Sequence, residues 1–226
     1  AYEGEDNPYA SLPEMNILTY QLPQKLKNVA MRGEFDEFNL SYFFKATGEE
    51  EEAEFINEAE VQKWLDLIEG KITDENDITN DLVRKRESMQ VQFPLSKSAG
   101  IYKELNHMLW LLPNVASCFA MEKLLKNPNN TFYKDYKIVV AAGSRGGSGV
   151  DALIPLNEAI GDDPLKSKTI TLTCGKLTTG VTVKPWTGIF ILRSLNSPES
   201  YFQSAFRVQS PWVIKEPGKE PIIQKK

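Results

Sequence analysis

Over residues 101–209 short, β-prone apolar runs alternate with helical stretches of roughly ten residues, and this alternation restricts the fold more than any other feature. A helix is expected near 101–108, then an apolar run over 109–112 stopped by Pro113, and a helix over 116–126. A strand over 136–142 follows, then a glycine-rich loop, a helix near 151–160, strands over 169–174 and 188–194, and a helix over 198–209. Strands and helices in this order join by right-handed crossovers into a mainly parallel sheet covered on both faces, a three-layer αβα arrangement. In such sheets ligands sit beyond the carboxyl ends of the strands. Four loops occupy that position, those after Leu112, Ala142, Cys174 and Ser194.

Upstream the character changes. Residues 15–22 (MNILTYQL) read as a strand ending at Pro23, and residues 24–96 read as a mainly helical insertion. In that insertion Val61, Trp64, Leu65 and Ile68 recur at helical spacing, and 81–89 is a second helical candidate. Charge divides at the same place. Residues 1–96 hold 21 Asp and Glu against 9 Lys and Arg, net −12, whereas residues 97–226 hold 10 against 17, net +7. Only the second half can attract a polyanion. The domain division expected is 1–23 with 97–226 as the sheet domain and 24–96 as a separable acidic insertion, whose removal should leave a folded core. Its densest acidic stretch, GEEEEAE at 48–54, reads as a solvated loop or fraying helix end.

No apolar run approaches the roughly 18 residues of a membrane span, so no membrane partner is expected and the expected location is the cytoplasm. Cys118 and Cys174 lie in apolar surroundings, as buried thiols do in a reducing compartment, and with His107 as the single histidine no metal site is expected.

Among the four loops, GSRGGSG at 143–149 lacks the Lys-Ser/Thr pair of a P-loop and reads as a flexible connector. CGKLTTGVTV at 174–183 offers Thr178 and Thr179 hydroxyls and N–H groups at a strand end, with Lys176 adding charge, although plain connecting structure is the commoner use of such a loop. Ser197-Pro198-Glu199 is a helix start with a serine cap, a proline in the first turn and a carboxylate near the positive dipole end. On the helix it opens, Phe202, Ala205 and Phe206 can pack inward, while Gln203 and Arg207 share one face.

The order of these segments resembles the second RecA-like domain of superfamily 2 helicases of the DEAD/DEAH-like kind, nearest to the helicase part of type III restriction-type proteins. Residues 15–22 look like the opening strand, LWLLPNVASCFAMEKLL at 109–125 like the fourth helicase motif, and TLTCGKLTTGVTVKPW at 171–186 like the fifth. SPESYFQSAFRVQSPW at 197–212 is similar to the sixth, Q-x-x-G-R-x-x-R, with its Gln on Gln203 and its first Arg on Arg207. Three positions depart from the pattern: Ser210 replaces the second Arg, Phe206 the small residue before the first, and Thr182 the Asp usual in the fifth motif.

What the resemblance implies is a RecA-like motor half of an ATP-dependent DNA helicase or translocase, part of a restriction or phage-defence protein. It implies Arg207 as an arginine finger and Gln203, Gly180 and Thr182 as nucleotide contacts. Thr178, Thr179 and Asn114 are the expected contacts to nucleic-acid phosphates. ATP and Mg2+ would be held mainly by a first RecA-like domain of the same parent chain, because GxxxxGK[ST] and DExx are absent here. The implied partners are DNA, that first domain and a restriction or modification subunit, and the chain alone should not hydrolyse ATP. The alternative is a non-catalytic RecA-like interaction domain that has lost the motor.

Overall fold

A computed structural model describes residues 12–18, 22, 24–31, 38–71, 95, 105–147, 149–178, 180–214 and 222–225. Its centre is a parallel sheet of β3 (His107–Leu111), β4 (Lys137–Val140), β5 (Thr169–Thr173) and β6 (Gly188–Ile191), in the order β4-β5-β3-β6. Before it come α1 (Gln24–Ala30), α2 (Leu40–Phe43), a small antiparallel hairpin of β1 (Ala46–Thr47) and β2 (Glu54–Phe55), and α3 (Glu58–Ile68). Three helices alternate with the sheet strands or follow them: α4 (Val115–Lys126), α5 (Ile154–Ile160) and α6 (Pro198–Ala205). An antiparallel pair, β7 (Trp212–Ile214) and β8 (Ile222–Lys225), closes the described chain. The α/β class with a parallel, helix-flanked sheet is therefore as the alternation predicts.

Period-two alternation divides the core in two. Met108, Trp110, Ile170, Leu172 and Val140 point to one face, and Leu109, Val139, Ala141 and Ile189 to the other. The first face carries α4 through Cys118, Phe119, Met121 and Leu125. It also carries α1 and α3, so Leu26, Ala30, Val61, Trp64, Leu65 and Ile68 belong to the same buried cluster as Trp110. Aromatic edges run through this layer from Phe43 to Phe44 (4.8 Å between centroids), Trp64 (4.9 Å) and Trp110 (5.8 Å). The described helices of the acidic segment, α1 and α3, thus pack on the sheet through their apolar faces. The helix expected from Val61, Trp64, Leu65 and Ile68 is present as α3, with all four buried. The 81–89 helix lies outside the described residues.

The second face is covered by α5, by Leu177, Val183 and Trp186 from the β5–β6 connection, and by the β7–β8 pair. It contains a polar seam. His107 Nδ1 lies 2.9 Å from Thr169 Oγ1, and its Nε2 2.7 Å from the Pro164 carbonyl; burial holds this imidazole below its ordinary pKa. Trp186 Nε1 donates to Thr171 Oγ1 at 3.4 Å. Lys225 donates to the Trp186 and Val208 carbonyls, at 2.8 and 3.0 Å, and burial lowers its pKa to about 8.

Two expectations are corrected. Residues 15–18 form no strand and Ile17 and Leu18 are exposed, so among the described residues the parallel sheet opens with β3; residues 19–21 lie outside the description. The helix expected over 101–108 ends wrongly, because His107 and Met108 are the first residues of β3. Met108 pairs with Ile170 on one side and Gly188 on the other, and burial on both faces of a central strand leaves no polar face for an amphipathic pattern to show. Residues 101–104 lie outside the described residues.

Candidate functional site at the carboxyl edge of the sheet

The chain leaves β3 over the α4 face and leaves β5 over the opposite face, so the carboxyl edge between these neighbours is a topological switch point. The four expected loops meet along this edge. In the first, Pro113 stops β3 and Asn114 caps α4: Asn114 Oδ1 accepts from the Ser117 N–H at 2.7 Å, and Nδ2 donates to the Ala46 carbonyl at 3.1 Å. One end of the Asn114 amide thereby caps α4 and the other ties α4 to the β1–β2 hairpin.

The second loop is a 3-10 turn over Gly143–Gly146. Gly143 takes the left-handed φ of 56°, and a Cβ there would stand 2.9 Å from Glu50 Oε1, so the acidic hairpin tip at residues 48–52 comes directly onto this loop. Glu50 Oε1 accepts from the Ser144 N–H at 2.9 Å, Glu51 pairs with Arg145 Nη2, and Glu122 Oε2 accepts from Arg145 Nη1 at 2.7 Å. Arg145 also stacks over Phe119, 5.0 Å from the ring centroid. The acidic run is a solvent-exposed turn, as expected, but Glu50 and Glu51 tie it to the glycine-rich loop, which is therefore held by partners rather than a free connector.

The third loop turns sharply. Thr173 Oγ1 donates to the Lys176 carbonyl at 2.6 Å and accepts from the Gly175 N–H at 3.2 Å, and Leu177 is buried with φ of 63°. Lys176 Nζ donates back to the carbonyls of Gly143 (3.2 Å) and Gly147 (2.7 Å), stitching the second and third loops together. Gly146 is buried beneath the Lys176 side chain, whose far end a Cβ there would displace. Thr178 Oγ1 donates to the Gly175 carbonyl at 2.5 Å. Gly180 and Thr182 are exposed, whereas Thr179 lies outside the described residues.

The fourth loop supplies Arg193, whose Nη1 donates to the Cys174 carbonyl at 2.9 Å, and leads to α6. Ser197 Oγ accepts from the Ser200 N–H at 3.2 Å and Pro198 opens the helix, as expected. The apolar face of α6 is not as expected. Ser204 and Ala205 are buried, while Phe202 and Phe206 are 45% and 49% exposed and stack on one another at 5.7 Å. The helix ends at Ala205 and tightens into a 3-10 turn, so its small residues meet the core and its rings turn outward. Gln203 donates to Glu199 Oε1 at 2.9 Å. Arg207 donates from Nε to the Gln203 carbonyl (3.1 Å) and from Nη1 to the Val181 carbonyl (2.7 Å).

Arg207 is thus brought against the loop holding Gly180 and Thr182, while the Gln203 side chain turns to Glu199, and Asn114 and Thr178 are engaged in local structure. Arg145, Arg193, Glu50, Glu51 and Glu122 were missed by sequence reasoning, and no local signal could have found them: Glu50 and Ser144 are 94 residues apart. Among the described residues no group of three or more His, Cys, Asp or Glu could hold a metal ion, and no helix is long and apolar enough to cross a membrane.

Cys118 and Cys174 meet at the switch point, the first buried and the second partly exposed. A hydrogen bond from Cys118, aided by Arg193 and Lys176, lowers the Cys174 pKa to about 7, while the same contact and burial push Cys118 up. Iodoacetamide should therefore modify Cys174 with a rate half-maximal near pH 7 and leave Cys118 untouched in the folded protein, as read by peptide mass spectrometry. Equal labelling of both, or a rate rising only in the range of an ordinary thiol, would contradict this contact.

No protein-family model and no solved structure matches the chain. It is 32% identical, over 237 aligned positions, to a protein of Mycoplasma pneumoniae that bears the name of a type II restriction enzyme and methyltransferase, C-terminus. The alignment takes in 94% of this chain and 30% of that relative, so the chain corresponds to a minor part of it.

Proposed function

We propose that the chain is the second motor domain of an ATP-dependent DNA helicase or translocase that works within a restriction or phage-defence protein. Similarity along nearly its whole length to a protein with a restriction name supports the setting. The observation that carries the motor reading is the seat of Arg207: the one guanidinium of the sixth-motif-like segment is held on the Val181 carbonyl, between Gly180 and Thr182 of the fifth-motif-like loop. In a RecA-like pair, that junction faces the nucleotide held by the first domain. ATP would bring the phosphoryl group to be transferred and Mg2+ the charge that neutralises its oxygens. This chain would contribute Arg207 as the planar donor to the developing charge, Gly180 and Thr182 as backbone and hydroxyl contacts, and Gln203 as the neighbour orienting Arg207. Thr178, Thr179 and Asn114 would lie along the DNA path, where contacts to phosphates position the strand without reading bases.

A second reading, a non-catalytic interaction domain with a RecA-like fold, is favoured by one specific observation. Arg207 commits Nε and Nη1 to main-chain carbonyls, and Ser210 and Thr182 stand where a motor of this family carries Arg and Asp.

The purified chain is expected to bind a fluorescent oligonucleotide weakly and without sequence preference, and to lose that binding between low and physiological salt as counterion release predicts. Thr178→Ala with Thr179→Ala should weaken it further, and the chain alone should not turn over ATP. Salt-independent, sequence-selective binding in the anisotropy titration would remove the phosphate-tracking role.

A further inference from the structure

The acidic run and the glycine-rich loop, idle in the proposed motor, converge at the carboxyl end of β4. There the Ser144 N–H and one branch of the Arg145 guanidinium point at the same short segment and meet the carboxylates of Glu50 and Glu51. A backbone N–H on a glycine-rich turn beside a guanidinium is a donor set suited to a phosphate oxyanion, and here intramolecular carboxylates satisfy it. We propose that Ser144 and Arg145 form a phosphate-binding site at the sheet edge and that Glu50 and Glu51 are its built-in competitors, displaced when a phosphate group arrives.

The surroundings of this pair fit an exchange of one anion for another. Arg145 is aimed from behind by Glu122, a buried carboxylate whose other oxygen is held by Lys126 at 2.6 Å, so the guanidinium keeps its direction when Glu51 leaves. Glu51 itself is 65% exposed, and exposed pairs of this kind are readily exchanged. The Lys176 ammonium lies on the other side of the loop, on the Gly143 and Gly147 carbonyls, and among the described residues it pairs with no carboxylate. The hairpin tip is fastened at both ends, through Ala46 to Asn114 and through Ala53 to Lys123 Nζ at 3.2 Å, so displacement moves residues 48–52 and not the layer beneath. The hydroxyl and N–H of Ser144, with Arg145 beside them, hold the Glu50 carboxyl below the usual carboxylate range, so it is a charged occupant. Four consecutive carboxylates at 49–52 also repel any approaching polyanion while they remain on the loop.

The ligand chemistry is a phosphate group, from a DNA backbone or from a free phosphate compound, and the DNA source rests on the function proposed above. The test uses the whole 226-residue chain and two probes, a fluorescent single-stranded oligonucleotide at low salt and inorganic pyrophosphate by calorimetry. Glu50→Gln with Glu51→Gln should tighten binding by about tenfold relative to the unaltered chain. Glu58→Gln with Glu158→Gln, two exposed carboxylates away from the loop, removes the same charge and should change binding far less. Adding Arg145→Ala to the first pair should abolish the gain. A gain for the oligonucleotide supports the site with DNA as its source. A gain for pyrophosphate alone supports the site with a free phosphate compound as its source, and counts against the DNA reading. Unchanged affinity for both probes, a gain matched by the control pair, or a gain that survives Arg145→Ala would overturn the proposal.

Discussion

Replacing residues 24–96 by a short Gly/Ser bridge should give a protein that does not fold, with no cooperative thermal transition by circular dichroism. Charge and composition along the chain suggest the opposite, a detachable acidic insertion, but packing argues against detachment. Phe43, Phe44, Val61, Trp64, Leu65 and Ile68 are all buried in the cluster that contains Trp110 and Phe119. Each such side chain contributes about 1.5–3 kcal/mol by burial, and a domain of this size holds only about 5–15 kcal/mol of net stability. Losing six, about 9–18 kcal/mol, is of the size of that whole margin, and it also uncovers the α4 face of the sheet. Polar ties would go with them, including Ser117 Oγ to the Phe44 carbonyl at 2.7 Å and Lys123 Nζ to the Ala53 carbonyl. A milder variant gives a graded result: Trp64→Ala should cost about 3–5 kcal/mol in denaturant unfolding. A cooperatively melting protein without 24–96 would show that the sheet is self-sufficient and restore the insertion as a separate unit.

Arg207→Ala, in a parent protein that includes the ATP-holding domain, should lower DNA-stimulated ATP turnover on the order of 10³-fold, the scale of arginine fingers. Nucleotide affinity should fall much less, since the phosphate-binding loop of the other domain makes most ground-state contacts. Arg207 also holds the Val181 carbonyl, so the same variant should lose some thermal stability, and the two roles must be separated. Arg207→Lys does this: an ammonium can still donate to one carbonyl, but it cannot present a planar fork to two phosphate oxygens. The lysine variant should therefore recover most of the stability and little of the turnover. Near-normal turnover in Arg207→Ala with a lowered melting temperature would make Arg207 a clamp on its loop, and with Ser210 and Thr182 would favour the non-catalytic reading.

How much was legible can be traced to particular residues. Ser197 before Pro198 announces the start of α6 because capping is local chemistry, completed within three residues, whereas Asn114, expected as a phosphate contact, proves to be the cap of α4. The β5 and β6 runs are visible as short, β-prone runs bounded by turn residues, and the α3 stripe because burial of one helix face imposes a period. By itself, then, the sequence determined the α/β class, the parallel sheet and the four loops at its carboxyl edge. Tertiary structure alone decided the strand order β4-β5-β3-β6, the packing of α1, α2 and α3 against the sheet, and the outward turn of Phe202 and Phe206. It also decided that Glu50 meets Ser144 and that Arg145 lies between Glu51 and Glu122. The physical reason is range. Propensity, capping and periodicity act over a few residues along the chain, whereas a charge finds its partner wherever the packed layers place one, and no spacing in the sequence encodes a meeting across 94 residues.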